Sequence, residues 1–252
     1  MTDFYKDEYQ MGEAEEKLSP SGKYRLVITR YDTSKVTGEN TWAHTRGRLY
    51  HVTDGTLIAD IKRNYSQFNH SFQMKNEQEY LITGRDYMGQ TIVNCDEGWE
   101  ASTPETSGEQ FCWVDHWLSP DGKTLVVDGC YWACPFELFF FDFSNPRRLP
   151  LPELEFNRSW QDSYELSGSD SKWRGDKFYA EAECERRKLD GKPHAGKWTN
   201  GLTEEEMEEV RRFAEQAGEN IDDYTEDVKD LKVVFRRGKE RLAADVLLQN
   251  ID

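Results

Sequence analysis

The stretch "LSPDGKTLVVDG", residues 118–129, predicts a tight turn that leads into a strand. Pro120 fixes its own φ near the value that a turn requires, while Asp121 and Gly122 tolerate backbone conformations that other residues resist. The branched apolar run of residues 125–127 is typical of a β-strand. The stretch therefore indicates two strands of one antiparallel sheet, joined by a turn at residues 119–122.

Similar patterns recur along the chain. "LSPSGKYRLVIT", residues 18–29, repeats the turn and the apolar run, and "YLITG", residues 80–84, aligns without a gap with residues 125–129 at an offset of 45 residues. Spacings of about 45–55 residues lie in the range of propeller blades. From Leu18 onward, short apolar runs are broken by Gly, Asp, Asn and Pro, and this predicts many antiparallel strands.

The unit around this stretch resembles a blade of the WD-repeat and TolB-like propellers. The matching residues are the turn at 118–123, the run at 125–127 and a third strand at 139–142. The resemblance implies that the turn joins the first two strands of a blade and that the branched run is buried. The Gly-His and Trp-Asp dipeptides of the family are missing from the family positions. Because propellers host both scaffolds and enzymes, the resemblance implies an architecture and no particular activity.

These patterns predict a mainly β, antiparallel fold of about four units: a small propeller-like fold, an incomplete propeller or open twisted sheets. Residues 1–17 are acidic and aperiodic, which predicts a flexible arm before a single domain over residues 18–252. A loop and a helix are inserted at about 188–228. We expect the helix over 203–217, because Thr203 and Glu206 can form a capping box and Gly218 is a suitable stop.

Charge and composition restrict the class of partner. The chain has 48 acidic and 32 basic residues, a formal net charge of −16. Such a surface repels nucleic acid and anionic membranes and accelerates the encounter with a basic protein, although acidity also serves solubility alone. The N-terminus lacks the pattern of a signal peptide, no apolar stretch is long enough to span a bilayer, and the five cysteines are irregularly spaced. We therefore expect a cytoplasmic protein.

Two groups of residues are candidates for binding a protein partner. The first is aromatic, on two adjacent strands and the turn beyond them: Trp113, Trp117, Tyr131, Trp132 and Phe136. Strand alternation places Trp113 and Trp117 on the same face, and the alternative is that these rings pack between sheets. The second group is acidic, on the inserted helix: Glu204, Glu205, Glu208 and Glu209. Its alternative is a solvated helix face.

One spacing is compatible with a metal site. Cys112 and His116 are four residues apart, as are Cys130 and Cys134, and three thiolates with one imidazole suit tetrahedral zinc. Strand alternation places Cys112 and His116 on one face. The alternative is core packing, because buried free cysteine is common.

Catalytic motifs are absent from the sequence: it has no Gly-x-Ser-x-Gly elbow, Walker loop, dinucleotide fingerprint or His-Glu-x-x-His. We therefore predict a non-enzymatic protein-binding module without a cofactor, an acidic inhibitor or immunity-type protein that binds a basic protein. Two alternatives stay open. One is a hydrolase that uses carboxylates in a central pocket, and the other is a zinc-stabilised structural domain.

Overall fold

The chain divides into two compact units, residues 1–154 and 155–252, where the sequence predicts a single domain from residue 18. The computed structural model describes residues 3–32, 34, 38, 43–85, 88–104, 111–131, 136–154, 165–187, 193–194, 203–218, 220, 225–237 and 242–247. Within these ranges every strand pairs with its neighbours in the antiparallel sense.

The first unit contains three sheets that follow one another along the chain. The first sheet has the order β1-β2-β3-β4, with strands Gln10–Leu18, Tyr24–Tyr31, His44–His51 and Leu57–Arg63. The second has the order β5-β6-β7-β8, with strands His70–Lys75, Gln78–Gly84, Gln90–Asn94 and Trp99–Ser102. The third has the order β11-β10-β9, with strands β9 (Phe111–Leu118), β10 (Thr124–Tyr131) and β11 (Glu137–Asp142).

The second unit contains the fourth sheet and the expected helix. Its strands are β12 (Glu165–Arg174), β13 (Lys177–Arg187), β14 (Pro193–His194), β15 (Thr225–Arg237) and β16 (Leu242–Leu247). The order is β12-β13-β15-β16, and β14 pairs with β13. The helix, α1, spans Glu204–Ala217 between the capping box of Thr203 and Glu206 and a left-handed Gly218 with φ 69°. The predicted fold class, mainly β with antiparallel propeller-like sheets and one helix near 203–217, is confirmed.

The two related turns in the sequence have the same structure. The amide of Gly122 donates to the carbonyl of Ser119 at 2.8 Å, and the amide of Gly22 donates to the carbonyl of Ser19 at 2.9 Å. Both glycines have a positive φ, 67° and 71°, which side chains with a Cβ rarely adopt. Each turn joins the first two strands of its sheet, so the two stretches are repeats of one structural element.

The middle sheet is buried on both faces, which explains its continuous apolar runs. Leu81 of β6 belongs to a core that the first and second sheets share, whereas Tyr80 and Ile82 belong to a core that the second and third sheets share. A strand that packs against sheets on both sides needs no polar face. The run at 80–84 therefore aligns with β10 because both strands occupy the second position of their sheets.

Two carboxylates fasten the first sheet to the second. Glu79, which is buried, accepts a hydrogen bond of 2.5 Å from the hydroxyl of Ser21 in the repeated turn. Asp96 accepts hydrogen bonds from the Tyr24 hydroxyl at 2.8 Å and from the Glu79 amide at 2.7 Å. Glu79 thus holds the turn at residues 19–22, and Asp96 holds Tyr24 just after it.

Residues 10–18 form strand β1, although the sequence predicts a flexible arm over residues 1–17. All nine residues of β1 are exposed, so the strand has no apolar periodicity that a sequence could reveal. It is held by its backbone ladder to β2 and, just before it, by the buried Tyr9, whose carbonyl accepts from the Asp32 amide at 2.8 Å. The sequence predicts an arm where the structure has a strand, because this strand is stabilised by backbone pairing and not by burial of its side chains.

Candidate functional site

A β-bulge in β9 decides which side chains share a face of the third sheet. Asp128 pairs with Asp115, but the next residue, Gly129, pairs with Trp113, so Val114 is an extra residue on β9. An extra residue reverses the alternation beyond it. As a result Trp113 shares a face with His116, while Cys112 lies on the opposite face.

The face that packs against the second sheet contains Trp113 and His116. Trp113 has no exposed surface, and its ring lies 5.1 Å from that of Phe141 and 5.6 Å from that of His116, measured between centroids. The expectation that Trp113 and Trp117 share a face is therefore wrong, because the bulge separates them. Trp113 is a core residue and cannot contact a partner in the folded protein.

The remaining aromatic candidates differ in exposure. Trp117 is half-buried, whereas Tyr131 is 40% exposed and Phe136 is 52% exposed. One edge of the Tyr131 ring rests against Phe111 at 5.3 Å between centroids, so this tyrosine is partly fixed. Trp132 lies outside the described residues. Among the candidates that the structure describes, Tyr131 and Phe136 are therefore the most accessible to a partner.

The proposed zinc ligands do not meet as a set. Cys112 and Cys130 are direct neighbours across β9 and β10, but His116 is on the other face of the same sheet. A single ion cannot bind side chains on opposite faces, so the expectation that Cys112 and His116 share a face is wrong. Cys134 lies outside the described residues. Within the described ranges, no group of three His, Cys, Asp or Glu residues could hold a metal ion.

A pair of carboxylates, missed in the sequence, lies on the same face as the two cysteines. Asp115 and Asp128 are directly opposite each other in the ladder, where Cβ atoms are about 4.5–5.5 Å apart. Burial, and to a lesser extent the charge of Asp115, raise the pKa of Asp128 to about 6, against a smaller opposing effect of the Gly129 amide. The sequence does contain a signal for this pair. If Leu118 is placed opposite Leu125 at the turn, counting outward along both strands places Asp115 opposite Asp128.

The acidic candidates on α1 all face solvent. Glu204, Glu205, Glu208 and Glu209 are exposed, while Val210 and Ala214 form the buried side of the helix. Glu206 is engaged in the capping box, through hydrogen bonds with the Thr203 amide and hydroxyl. The predicted helix and its capping box are confirmed. The binding role of its four glutamates stays a prediction.

Helices of the described residues are all too short or too polar to cross a membrane.

Comparison with known proteins gives one relative by sequence. No protein-family model matches the chain. The uncharacterized protein R762 of Acanthamoeba polyphaga mimivirus is 38% identical over 149 residues, which is 59% of this chain. The match spans 58% of the length of that protein.

Solved structures resemble the chain only distantly. Hydrazine synthase of Kuenenia stuttgartiensis has a TM-score of 0.44 at 10% identity, over 92% of this chain and 53% of that one. TolB of Acinetobacter baumannii has a TM-score of 0.32 at 12% identity, over 68% of this chain and 40% of that one. At these scores the likeness carries no functional inference.

Proposed function

We propose that the protein is a non-enzymatic binding module for a basic protein and that the exposed acidic face of α1 is its main contact surface. The observation that carries the proposal is the concentration of four exposed glutamates within six residues, Glu204 to Glu209, in a chain of net charge −16. A surface of one sign attracts a partner of the opposite sign and raises the rate of encounter.

The helix itself does not require all of this charge. Glu204 and Glu205 lie in the first turn, where a negative charge interacts favourably with the helix dipole. Glu208 and Glu209 lie beyond the first turn, where this effect has faded. Glu208 pairs with Arg211 at 3.7 Å, but both side chains are about 60% exposed, so the pair contributes little. Folding thus accounts for only part of the acidic face, and the remaining charge supports a role in binding a cationic partner.

We expect that neutralising the acidic face weakens binding of the basic partner at least tenfold. The variant is E204Q/E205Q/E208Q/E209Q, which preserves the size of each side chain and the Thr203–Glu206 capping box. The partner is first captured from native lysate at low ionic strength and identified by mass spectrometry. Its affinity is then measured by calorimetry at two salt concentrations, since contacts between exposed charges weaken as salt rises.

The matched control is E13Q/E15Q/E16Q on β1, where all three glutamates are also exposed. It removes three charges from the first unit and leaves α1 intact, so we expect it to retain most of the affinity. If both variants bind equally well, or both lose affinity in proportion to net charge, the contact surface is not α1. If no basic protein is captured at low ionic strength, the proposed function is wrong.

A second candidate function, a carboxylate-dependent hydrolase, is favoured by the pair of Asp115 and Asp128. Two carboxylates with different affinities for a proton can act as an acid and a base. Asp128 has a pKa of about 6 because of burial and the charge of Asp115, while Asp115 itself is exposed. A panel of p-nitrophenyl esters, glycosides and phosphates tests this candidate. Hydrolysis that falls about a hundredfold in Asp115→Asn supports it, and no turnover on the panel rejects it.

The electrostatic basis of this pair can be measured without a substrate. Asp128 binds its proton more tightly in the folded state than in the unfolded state, where its pKa is near 3.8. Ionisation of Asp128 therefore does not lower the free energy of unfolding below about pH 4. Above about pH 6, where the carboxyl is ionised in both states, it lowers that free energy by its full effect. We expect Asp128→Asn to be about 1 kcal/mol more stable than the wild type at pH 8, after allowance for solvent screening, and equal to it at pH 3.5. Urea denaturation at the two pH values measures the difference, and no gain at pH 8 would contradict it.

A further inference from the structure

Buried polar atoms without hydrogen-bond partners collect where β5 meets β9. They belong to three side chains: the indole nitrogen of Trp113, both ring nitrogens of His116 and the hydroxyl of Ser71. Trp113 is fully buried and His116 is 5% exposed. More than nine in ten buried polar groups in proteins have a partner, so several orphans at one place point to a bound ligand.

The alignment of β5 beside β9 places these three side chains at the same height along the two strands. The side-chain amide of Asn69, just before β5, donates to the Trp113 carbonyl at 3.4 Å. Four residues later, the side chain of Gln73 donates to the His116 carbonyl at 3.1 Å. Ser71 lies midway between these two anchors, and therefore beside the segment of β9 that carries Trp113 and His116.

The side chains also point into the same interface. Ser71 pairs with Ile82, which belongs to the core between the second and third sheets. Directly paired residues of an antiparallel ladder share a face, so Ser71 faces the third sheet. Trp113 belongs to that core as well, and its ring contacts His116. We call this group of three, Ser71, Trp113 and His116, the seam site.

The electrostatic environment of the seam site favours a negative ligand. Burial lowers the pKa of His116, and with the charges of Arg63 and of protonated His70 acting in the same direction the pKa falls to about 3. Among the described residues, no carboxylate opposes them. Arg63 is itself only 1% exposed and donates to the Asn69 carbonyl at 3.3 Å, next to the start of β5. The buried guanidinium of Arg63 therefore contributes a positive potential at the site, in a protein whose net charge is −16.

We propose that the seam site binds a small inorganic anion of halide size, through the indole N–H of Trp113, the hydroxyl of Ser71 and one N–H of His116. The indole can only donate, the hydroxyl and the neutral imidazole can each donate one hydrogen, and a halide only accepts. A negatively charged halide can therefore accept one hydrogen bond from each of these three donors. This site is separate from the acidic face of α1, and neither proposal depends on the other.

Crystallography with sodium bromide tests the proposal directly. We expect an anomalous peak at the bromine absorption edge within hydrogen-bonding distance of the Trp113 indole nitrogen and of one His116 ring nitrogen. A peak at this position that lacks an anomalous signal and refines as water overturns the proposal, because water can also satisfy these groups.

Chloride titration tests the site in solution. The melting temperature is followed against sodium chloride, with sodium gluconate at equal ionic strength as the reference. Binding to the folded state gives a rise that saturates. We expect Ser71→Ala to move the chloride midpoint about tenfold higher, the effect of one lost hydrogen bond to a charged group.

The control is Ser102→Ala, which removes a serine hydroxyl from β8, the opposite edge strand of the same sheet. It should keep the wild-type midpoint. Equal midpoints for all three proteins, or a linear dependence without saturation, show a general salt effect and overturn the proposal. If Ser71→Ala fails to fold, the bromide crystal of the wild type decides the question alone.

Discussion

Replacing Trp113 with alanine should lower the free energy of unfolding by about 3–5 kcal/mol. The side chain is fully buried between the second and third sheets and packs against Phe141 at 5.1 Å between ring centroids. The truncation removes the largest fully buried side chain of the described residues. Neighbouring rings come from β9 and β11, whose backbones are fixed by the ladder, so we expect the cavity to persist rather than collapse.

The control is Phe136→Ala, since Phe136 is 52% exposed. It should change the free energy of unfolding by no more than about 0.5 kcal/mol. Urea denaturation followed by far-ultraviolet circular dichroism gives both values, with the slope of the transition as a check that the unfolded surface is unchanged. A loss below about 1 kcal/mol for Trp113→Ala would mean that Trp113 lies on the opposite, more exposed face of the sheet.

The turns and the helix were predictable because their signals are local. The Ser-Pro-x-Gly turn requires a proline and, two residues later, a left-handed glycine, and a single stretch such as residues 119–122 contains both. The capping box of Thr203 and Glu206 is equally local, with its hydroxyl and carboxylate three residues apart. Such elements depend on neighbours in sequence, so a single chain without relatives is enough to identify them.

The faces of β9 were not predictable from alternation, because the bulge depends on its partner strand. Gly129 is the position that permits it: a Cβ there would lie 2.1 Å from the carbonyl oxygen of Cys112 and 2.8 Å from the Phe111 ring. Only glycine allows the two backbones to approach this closely. A glycine inside a strand is a recognised sign of a bulge, so Gly129 is the residue from which the exchange of Trp113 and Cys112 between faces could have been anticipated.

The candidate sites follow the same division between local and long-range signals. The acidic face of α1 was predictable, since helical periodicity within one element decides which glutamates face solvent. The seam site was not, because Ser71 and His116 come from different sheets, and only the register between β5 and β9 brings them together. Sequence reasoning therefore identified the acidic surface and missed the buried polar site.

Replacing Asp96 with alanine should cost about 2–4 kcal/mol, because one carboxylate satisfies several groups at the contact between the first and second sheets. Its oxygens accept from the Tyr24 hydroxyl, the Glu79 amide and the Lys23 ammonium. Tyr24 and Glu79 are buried, so alanine leaves a hydroxyl and an amide without a partner. Asp96→Asn retains an acceptor and should cost less, about 1–2 kcal/mol. The control is Glu77→Gln, an exposed carboxylate nearby that should have little effect.

The cost of Asp96→Asn should depend on pH in a defined direction. Burial alone would raise the pKa of Asp96, but hydrogen bonds from the Glu79 amide, Tyr24 and Lys23 outweigh it and hold the pKa below its usual value of 3.8. The ionised carboxylate therefore stabilises the fold at neutral pH, and this stability is lost as the pH falls below about 4. Urea denaturation at pH 7 and pH 3 should show the gap between wild type and Asp96→Asn shrinking at the lower pH. An equal gap at the two pH values would mean that the charge of Asp96 contributes nothing to stability. The loss would then come only from the replacement of the carboxylate group by an amide group.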